Sequence, residues 1–150
     1  MSKRSQRIAL MEKLLSHLKN SKLEYLKAAD NANASEKKRF FNKQALLRNR
    51  FFQEVLSELQ SLGLTYDDLI ISRFNFDQLL ISSIDTLKAT ALEKCLQADK
   101  MLLELYAEFF ESQGKNEKFL LHVETLKTAV NKNQSLVADY SIKKNITSNF

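Results

Sequence analysis

The chain has 150 residues, a length that suits one domain with one sizeable hydrophobic core. It contains no proline, two glycines and one cysteine, so the usual helix breakers are almost missing and neither an internal disulfide nor a cysteine-based zinc site can form. The net charge is +5, but lysines and acidic residues are interspersed along every segment, so the charge alone does not predict nucleic-acid binding.

The first half of the chain predicts two long amphipathic helices. Apolar residues recur every three or four positions over about 5–30 and again over about 36–62. Between them, the short polar residues DNANAS favour a turn, and Ser35 can cap the second helix. Gly63 follows the second helix, where a left-handed cap is favoured. Because the turn is tight, we expect the two helices to be antiparallel neighbours.

Residues 64–87 break this pattern. Thr65 with Asp68 resembles a capping box that opens a shorter helix. We interpret the segment as a long, partly helical crossover that returns along the molecule.

Two further long helices are predicted over about 88–112 and 116–143, with Gly114 just past the end of the third. Two antiparallel helix hairpins of similar length, joined by one long crossover, make a ferritin-like four-helix bundle. We therefore expect an all-α protein with a single ferritin-like domain over 1–150.

The N-terminal segment predicts a cytoplasmic protein. Its apolar residues are interrupted by Glu12 and Lys13, so it lacks the hydrophobic region of a signal peptide. No run approaches the ~20 apolar residues of a membrane span, and we expect no membrane partner. The single cysteine, Cys95, suits a reducing compartment and is interpreted as a small core residue.

The order of segments resembles one branch of the ferritin-like superfamily, a bacterial domain family of unknown function often discussed with stress-induced proteins. The resemblance covers about residues 8–140. Three blocks carry it: LEYLKAAD, KKRFFNKQALLRNRFFQEVLSELQSLG and LEKCLQADKMLLELYAEFF. These blocks are packing patterns of moderate specificity. The resemblance implies a ferritin-like bundle, dimeric in some members, without an established activity.

A di-iron centre is the chemistry most typical of such a bundle, and the residues argue against it. That centre requires a Glu-x-x-His pair on each of two helices. The chain has two histidines, His17 and His122, and three residues before them stand Leu14 and Phe119. An unorthodox carboxylate site remains the alternative, although Glu24 and Glu93 are expected at stripe boundaries. Its candidate ligands are Glu24, Glu93, Asp99 and His122.

The middle of the bundle is predicted to hold a polar layer instead of metal ligands. Counting back from the turn places Lys22 level with Gln44, and Arg48 level with Asp99 because the crossover makes the second and third helices run the same way. We predict an ion pair between Arg48 and Asp99. The predicted layer contains Lys22, Gln44, Arg48, Asp99 and Asn133.

A second reading of Arg48 stays open. In that reading Arg48 lies at the edge of the apolar stripe, with its stem over Phe52 and its head in water. The two readings differ in whether the guanidinium is buried.

We expect a structural or protein-interaction module without a cofactor, with a role in stress response as the resemblance suggests. The sequence has no nucleophile-and-base arrangement and no phosphate-binding glycine loop, so an enzyme is not predicted. The doubled phenylalanines Phe40–Phe41, Phe51–Phe52 and Phe109–Phe110 point around more than one side of their helices and suggest a homodimer. The alternative is a metal-binding ferritin-like oxidoreductase or storage protein.

Overall fold

The computed structural model of the protein describes residues 2–69 and 90–148, with side chains described as far as residue 138. These residues form four long α-helices and one short 3-10 helix, and they include no β-strand. The helices are α1 (Lys3–Asn31), α2 (Ser35–Ser61), α3 (Ala91–Gln113) and α4 (Glu117–Ser148), with the 3-10 helix at Tyr66–Asp68 between α2 and α3. The predicted all-α class is confirmed for this part of the chain.

Side chains cap the start of three helices. The backbone N–H of Ser5 donates to Ser2 Oγ at 3.1 Å before α1. Before α3, the N–H of Glu93 donates to Thr90 Oγ1 at 3.2 Å. Before α4, the N–H of Phe119 donates to Asn116 Oδ1 at 3.2 Å. These acceptors satisfy N–H groups that have no partner within the helix.

The start of α2 differs from the prediction. Ser35 is the first helical residue, and the cap position belongs to Ala34, whose side chain makes no capping hydrogen bond. The carbonyl of Ala34 accepts from the N–H of Lys38 at 3.0 Å. The predicted cap at Ser35 was therefore wrong by one residue, because the helical hydrogen bonds begin one residue earlier than the polar side chain suggests.

Both glycines end helices. Gly63 follows α2 with φ of +89°, and Gly114 follows α3 with φ of +86°. A positive φ is costly for residues with a Cβ atom, so glycine is favoured at both helix ends. The two predicted glycine caps are confirmed.

The connection after α2 begins as predicted. Asp68 Oδ2 accepts from the backbone N–H of Thr65 at 2.9 Å and from its hydroxyl at 2.8 Å, which is the reciprocal half of a capping box. This pair opens the 3-10 helix. The remainder of the predicted crossover, from residue 70 to residue 87, lies outside the described residues.

The helices bury one large apolar cluster and one smaller cluster. The large cluster joins all four helices and includes Leu14, Leu18, Val55, Tyr106 and Phe119. The smaller cluster, around Tyr25, Phe41 and Cys95, lies toward the turn between α1 and α2. α1 packs against α2 and α3, and α3 packs against α4, whereas the contact between α2 and α4 is small. This packing is compatible with a helical bundle.

The buried face of α3 carries an acidic residue. Cys95, Asp99 and Leu102 are fully buried, whereas Leu96 and Leu103, each one residue past Cys95 and Leu102, are half-buried. This face brings Asp99 to the centre of the helix packing.

No helix of the described residues is apolar over a length that could cross a membrane.

Candidate functional site

A buried polar cluster lies among the four helices, and we call it the Arg48 network. Its members are Ser21 and Tyr25 of α1, Gln44 and Arg48 of α2, Asp99 of α3 and Asn133 of α4. Each of the six is less than a tenth exposed, and Arg48 and Asp99 are fully buried. A guanidinium and a carboxylate thus lie where a helical bundle ordinarily holds apolar side chains.

The Arg48–Asp99 pair is bidentate. Arg48 Nε donates to Asp99 Oδ1 at 3.1 Å, and Arg48 Nη2 donates to Asp99 Oδ2 at 2.8 Å. The planar guanidinium matches the two carboxylate oxygens in this geometry, and both bonds are charge-assisted. The pair joins α2 to α3 through their side chains alone.

Neutral side chains supply further hydrogen bonds to the Asp99 carboxylate and the Arg48 guanidinium. Ser21 Oγ donates to Asp99 Oδ1 at 2.9 Å, and the Tyr25 hydroxyl donates to Asp99 Oδ2 at 2.5 Å. On the other side, Gln44 Oε1 accepts from Arg48 Nη1 at 3.0 Å. The guanidinium also lies over the Tyr25 ring at 4.9 Å from its centroid, a cation–π contact. Each Asp99 oxygen accordingly accepts two hydrogen bonds.

Asn133 brings the fourth helix into the network. Its Nδ2 donates to the Tyr25 hydroxyl at 2.7 Å, so the same hydroxyl accepts from α4 and donates to Asp99 of α3. A hydroxyl has one proton and two lone pairs, so both roles are satisfied at once.

Electrostatics favour the ionised pair. Burial alone would lower the pKa of Arg48, but the charge and hydrogen bonds of Asp99 outweigh it, so the pKa lies above its ordinary value. Burial raises the pKa of the Tyr25 hydroxyl strongly, and the Asp99 charge adds to that rise. Tyr25 therefore stays protonated and can donate to Asp99 throughout the physiological pH range.

The structure brings four of the predicted polar residues together: Gln44, Arg48, Asp99 and Asn133 belong to the network. Lys22 lies at its edge, half-buried, and donates to Asn49 Oδ1 at 3.1 Å. Lys22 is one residue beyond Ser21, and this step rotates its side chain away from Asp99. The reading that places the Arg48 head in water does not describe the structure, since this residue is fully buried.

Ser21 and Tyr25 are network members that the sequence analysis missed. They are four residues apart on α1, so they share a face. In the sequence, Tyr25 follows the apolar spacing of the first helix and resembles a core ring, and Ser21 is a polar residue with no signal of its own. The four-residue spacing of the Ser21 and Tyr25 hydroxyls, together with the predicted inward position of Asp99, was the available signal that both hydroxyls belong to the polar layer.

Glu24 is also buried, which corrects its expected boundary position. It is 2% exposed, and its Oε1 lies 3.7 Å from Lys27 Nζ. Among the described residues, two buried side-chain oxygens have no hydrogen-bond partner, Glu24 Oε2 and Asn133 Oδ1. Buried acceptors without donors are uncommon in proteins and cost free energy.

The four candidate metal ligands are not brought into one site. Asp99 bonds Arg48, Ser21 and Tyr25, while His122 bonds Tyr106 and Glu54. Glu93 is half-buried at the start of α3. Within residues 2–69 and 90–138, no three His, Cys, Asp or Glu side chains are grouped closely enough to hold a metal ion.

A second polar chain surrounds His122, and we call it the His122 relay. Tyr106 Oη lies 2.7 Å from His122 Nδ1, and His122 Nε2 lies 3.0 Å from Glu54 Oε2. Because the Glu54 carboxylate can only accept, the neutral ring carries its proton on Nε2 and donates to Glu54, and Nδ1 then accepts from the Tyr106 hydroxyl. The Phe51 ring stacks on the imidazole at 4.1 Å. Burial lowers the pKa of His122, although Glu54 opposes that shift.

The fold and the two polar clusters define an all-helical bundle with a charge-compensated centre. No family model, curated protein or solved structure significantly matches this chain. Its function is therefore inferred from the geometry of its own residues.

Proposed function

We propose that the protein is a metal-free helical bundle that serves as a structural or protein-interaction module. The observation that carries this proposal is the fully buried, bidentate pair of Arg48 with Asp99. A metal centre needs carboxylates whose charge and oxygen lone pairs are available to the ion. Here the charge of the central carboxylate is already balanced, and each of its oxygens already accepts two hydrogen bonds.

The pair also disfavours an incoming metal ion. An ion at Asp99 would have to approach a guanidinium of the same sign and displace it from its carboxylate. The displaced guanidinium would remain buried, and a buried charge without its partner costs several kcal/mol. The network instead suits a role in fixing the register of the helices, because its members come from all four of them.

We further propose that the bundle is ferritin-like, with α1 and α2 antiparallel. Support comes from the ends of these helices. Arg4 Nη2 donates to the carbonyl of Leu62 at 2.8 Å, so the start of α1 lies beside the end of α2. The Tyr25 and Phe41 rings lie 6.3 Å apart, so the end of α1 lies beside the start of α2.

Contacts of α3 support the same topology. The Phe109 and Phe119 rings, from the end of α3 and the start of α4, lie 5.2 Å apart. Arg7, near the start of α1, lies 5.6 Å from the centroid of the Phe109 ring near the end of α3, and Tyr25, near the end of α1, donates to Asp99 near the start of α3. Since α1 runs opposite to both α2 and α3 by these contacts, a parallel relation between α2 and α3 is favoured. This order is that of two hairpins with one long crossover, and it supports the resemblance to the ferritin-like family of unknown function.

We also propose that the protein forms a homodimer, but through exposed leucines instead of the doubled phenylalanines. Phe40, Phe52 and Phe110 are half-buried against the protein's own apolar clusters. The most exposed large apolar side chains among the described residues are Leu46 at 70% and Leu121 at 69%. A homodimer would bury such side chains, and a role in stress response remains a proposal on the resemblance alone.

Metal content and sedimentation test the proposal. We expect protein purified from cells grown with iron and manganese to contain no stoichiometric metal by elemental analysis, and Asp99→Asn to leave that content unchanged. Sedimentation at micromolar concentration is expected to show a dimer. The oxidoreductase or storage alternative predicts a stoichiometric ion that is lost in Asp99→Asn, and a strict monomer would contradict self-association.

A further inference from the structure

A cavity lies between α1 and α2, beside the 3-10 helix that follows α2. Its volume is about 380 Å³, within the range of small-molecule sites. Its lining includes Lys19, Lys22, Asn49, Phe52, Leu56 and Tyr66. These residues form a polar group and an apolar group.

A hydrogen bond between the two helices builds the polar group. Lys22 Nζ of α1 donates to Asn49 Oδ1 of α2 at 3.1 Å. An ammonium group has three N–H donors, and this bond uses one of them. It uses the amide oxygen of Asn49 as the acceptor, so the amide nitrogen of the same group stays a donor. Both side chains line the cavity and are half-buried, so part of each is accessible. N–H donors of two residues therefore lie close together at one place in the lining.

The charges of this lining favour an anion. Its charged side chains, among the residues that the structure describes, are the basic Lys19, Lys22 and Arg48. Arg48 is fully buried and its charge is balanced by Asp99, so it is not offered to a ligand. Lys22 bonds a neutral amide, and that bond does not compensate its charge. A ligand group beside Lys22 and Asn49 thus meets a positive charge and several N–H donors, which suits an oxygen anion.

Apolar side chains follow the polar group along α2. Phe52 and Leu56 both line the cavity and are half-buried. They are four residues apart, so they share a helix face and lie one turn apart along the axis. Leu56 is roughly 10 Å from Asn49 along the axis of α2 at the usual helical rise. An apolar chain along this face would cover the accessible parts of Phe52 and Leu56, and covering apolar surface is favourable.

We propose that the cavity binds a small carboxylate with an unbranched apolar chain. One carboxylate oxygen accepts from Lys22 Nζ and the other from Asn49 Nδ2, while the chain packs against Phe52 and Leu56. An alcohol of the same length carries no negative charge, and a primary amine would place a second ammonium group beside Lys22. The site therefore discriminates by charge as well as by apolar contact. This inference does not depend on the proposed function of the bundle.

The test is an amide NMR titration of the full chain with sodium hexanoate, 1-hexanol, n-hexylammonium chloride and sodium acetate. We expect saturable shifts at the cavity for hexanoate, with affinity at least about tenfold higher than for hexanol, which corresponds to the smallest usual gain from a hydrogen bond to a charged group. Acetate lacks the apolar chain and should bind at least about tenfold more weakly than hexanoate. Hexylammonium is expected not to bind.

Three results of this titration would overturn the proposal. Equal affinity for hexanoate and hexanol would remove the role of the charge. Equal affinity for hexanoate and acetate would remove the role of the apolar chain. Absence of saturable hexanoate binding would remove the site itself.

Substitutions assign the binding to the polar group. Lys22→Met keeps an unbranched side chain and removes the charge, so the preference for hexanoate over hexanol should disappear. Asn49→Ala removes the amide donor and should weaken hexanoate at least about threefold while leaving hexanol unchanged. Lys13→Met removes an exposed ammonium group from the same helix as Lys22, away from the cavity lining, and is the matched control.

Circular dichroism checks that each variant is folded. If Lys22→Met does not fold, the comparison of ligands in the unaltered protein and the result for Asn49→Ala still decide the matter. Hexanoate binding that persists unchanged in folded Lys22→Met, or that Lys13→Met weakens equally, would contradict the site.

Discussion

Removing the carboxylate of Asp99 is expected to destabilise the protein severely. The substitution Asp99→Ala leaves Arg48 buried without its counter-charge and removes the acceptor of Ser21 and Tyr25. Loss of one partner of a buried ion pair typically costs about 3–5 kcal/mol. Proteins are commonly stable by only about 5–15 kcal/mol, so this loss is a large part of the total.

The expected shift is measurable by two methods. For a chain of this size, one kcal/mol corresponds to about 2–4 °C in melting temperature, so Asp99→Ala should melt about 6–20 °C lower. Urea unfolding followed by far-UV circular dichroism gives the free energy directly. Glu108→Ala is an exposed substitution on the same helix and should stay within about 0.5 kcal/mol of the unaltered protein.

A double-mutant cycle separates the pair from its surroundings. Arg48→Met with Asp99→Leu removes both charges, so no unpaired charge remains in the interior. The double variant should therefore be less destabilised than the sum of its two single variants, by about 1–3 kcal/mol. A loss below about 1 kcal/mol for Asp99→Ala, or strict additivity in the cycle, would show that Arg48 and Asp99 are not a coupled buried ion pair.

Three further predictions concern other parts of the molecule. Burial lowers the pKa of both His122 and His17, so near and below pH 6.5 the unfolded state binds more protons than the folded state. The free energy of unfolding should therefore be full above about pH 6.5 and decrease below it. Urea unfolding from pH 8 to pH 5 should show this decrease, with a smaller pH dependence in His122→Gln, and an unchanged pH dependence in that variant would contradict the burial of His122. Gly114→Ala should lower the free energy of unfolding by about 1 kcal/mol, because φ of +86° is costly for alanine. No atom lies within 4 Å of the added Cβ, so no steric clash adds to this cost. Thermal unfolding measures the change, and a neutral or stabilising effect would contradict the backbone argument. Leu121→Ser should leave the melting temperature of the monomer unchanged and weaken the proposed dimer in sedimentation, since this side chain is 69% exposed; an unaltered dimer would place the interface elsewhere.

Helix ends were predictable where a local cause determines them. Gly63 and Gly114 mark the ends of α2 and α3 because their backbone conformation disfavours other residues. The start of α2 was harder to predict from the sequence. Ser35 has a side chain that favours the cap position, but the structure has Ala34 as the cap and Ser35 as the first helical residue. The last helix extends to Ser148, five residues past the predicted end at 143, and no glycine or proline marks that boundary in the sequence.

The central pair could be placed because axial level follows from residue counting. From the predicted helix starts at 36 and 88, Arg48 and Asp99 are about equally far into their helices, at 48 − 36 = 12 and 99 − 88 = 11 residues. A parallel relation of the second and third helices, which the predicted crossover implies, therefore puts the two residues near one level. Rotation of each helix about its axis is set by packing, and counting does not give it. This is why Glu24 was expected at a boundary yet is buried, and why Lys22 was expected inside yet lies at the edge.

The His122 relay was also not predictable from the sequence, because it depends on contacts between helices. The sequence offered His122 as a candidate metal ligand, but its partners Tyr106 and Glu54 belong to two other helices. Their identity depends on how three helices are rotated at one level. Sequence spacing within a single helix carries no signal for such a contact.

Anomalous diffraction from crystals grown with iron and manganese tests whether the bundle centre holds an ion pair or a metal. We expect continuous density joining the Arg48 guanidinium to both oxygens of Asp99, with no anomalous peak at the bundle centre. A peak at coordination distance from Asp99, with Arg48 turned away from it, would contradict the metal-free bundle.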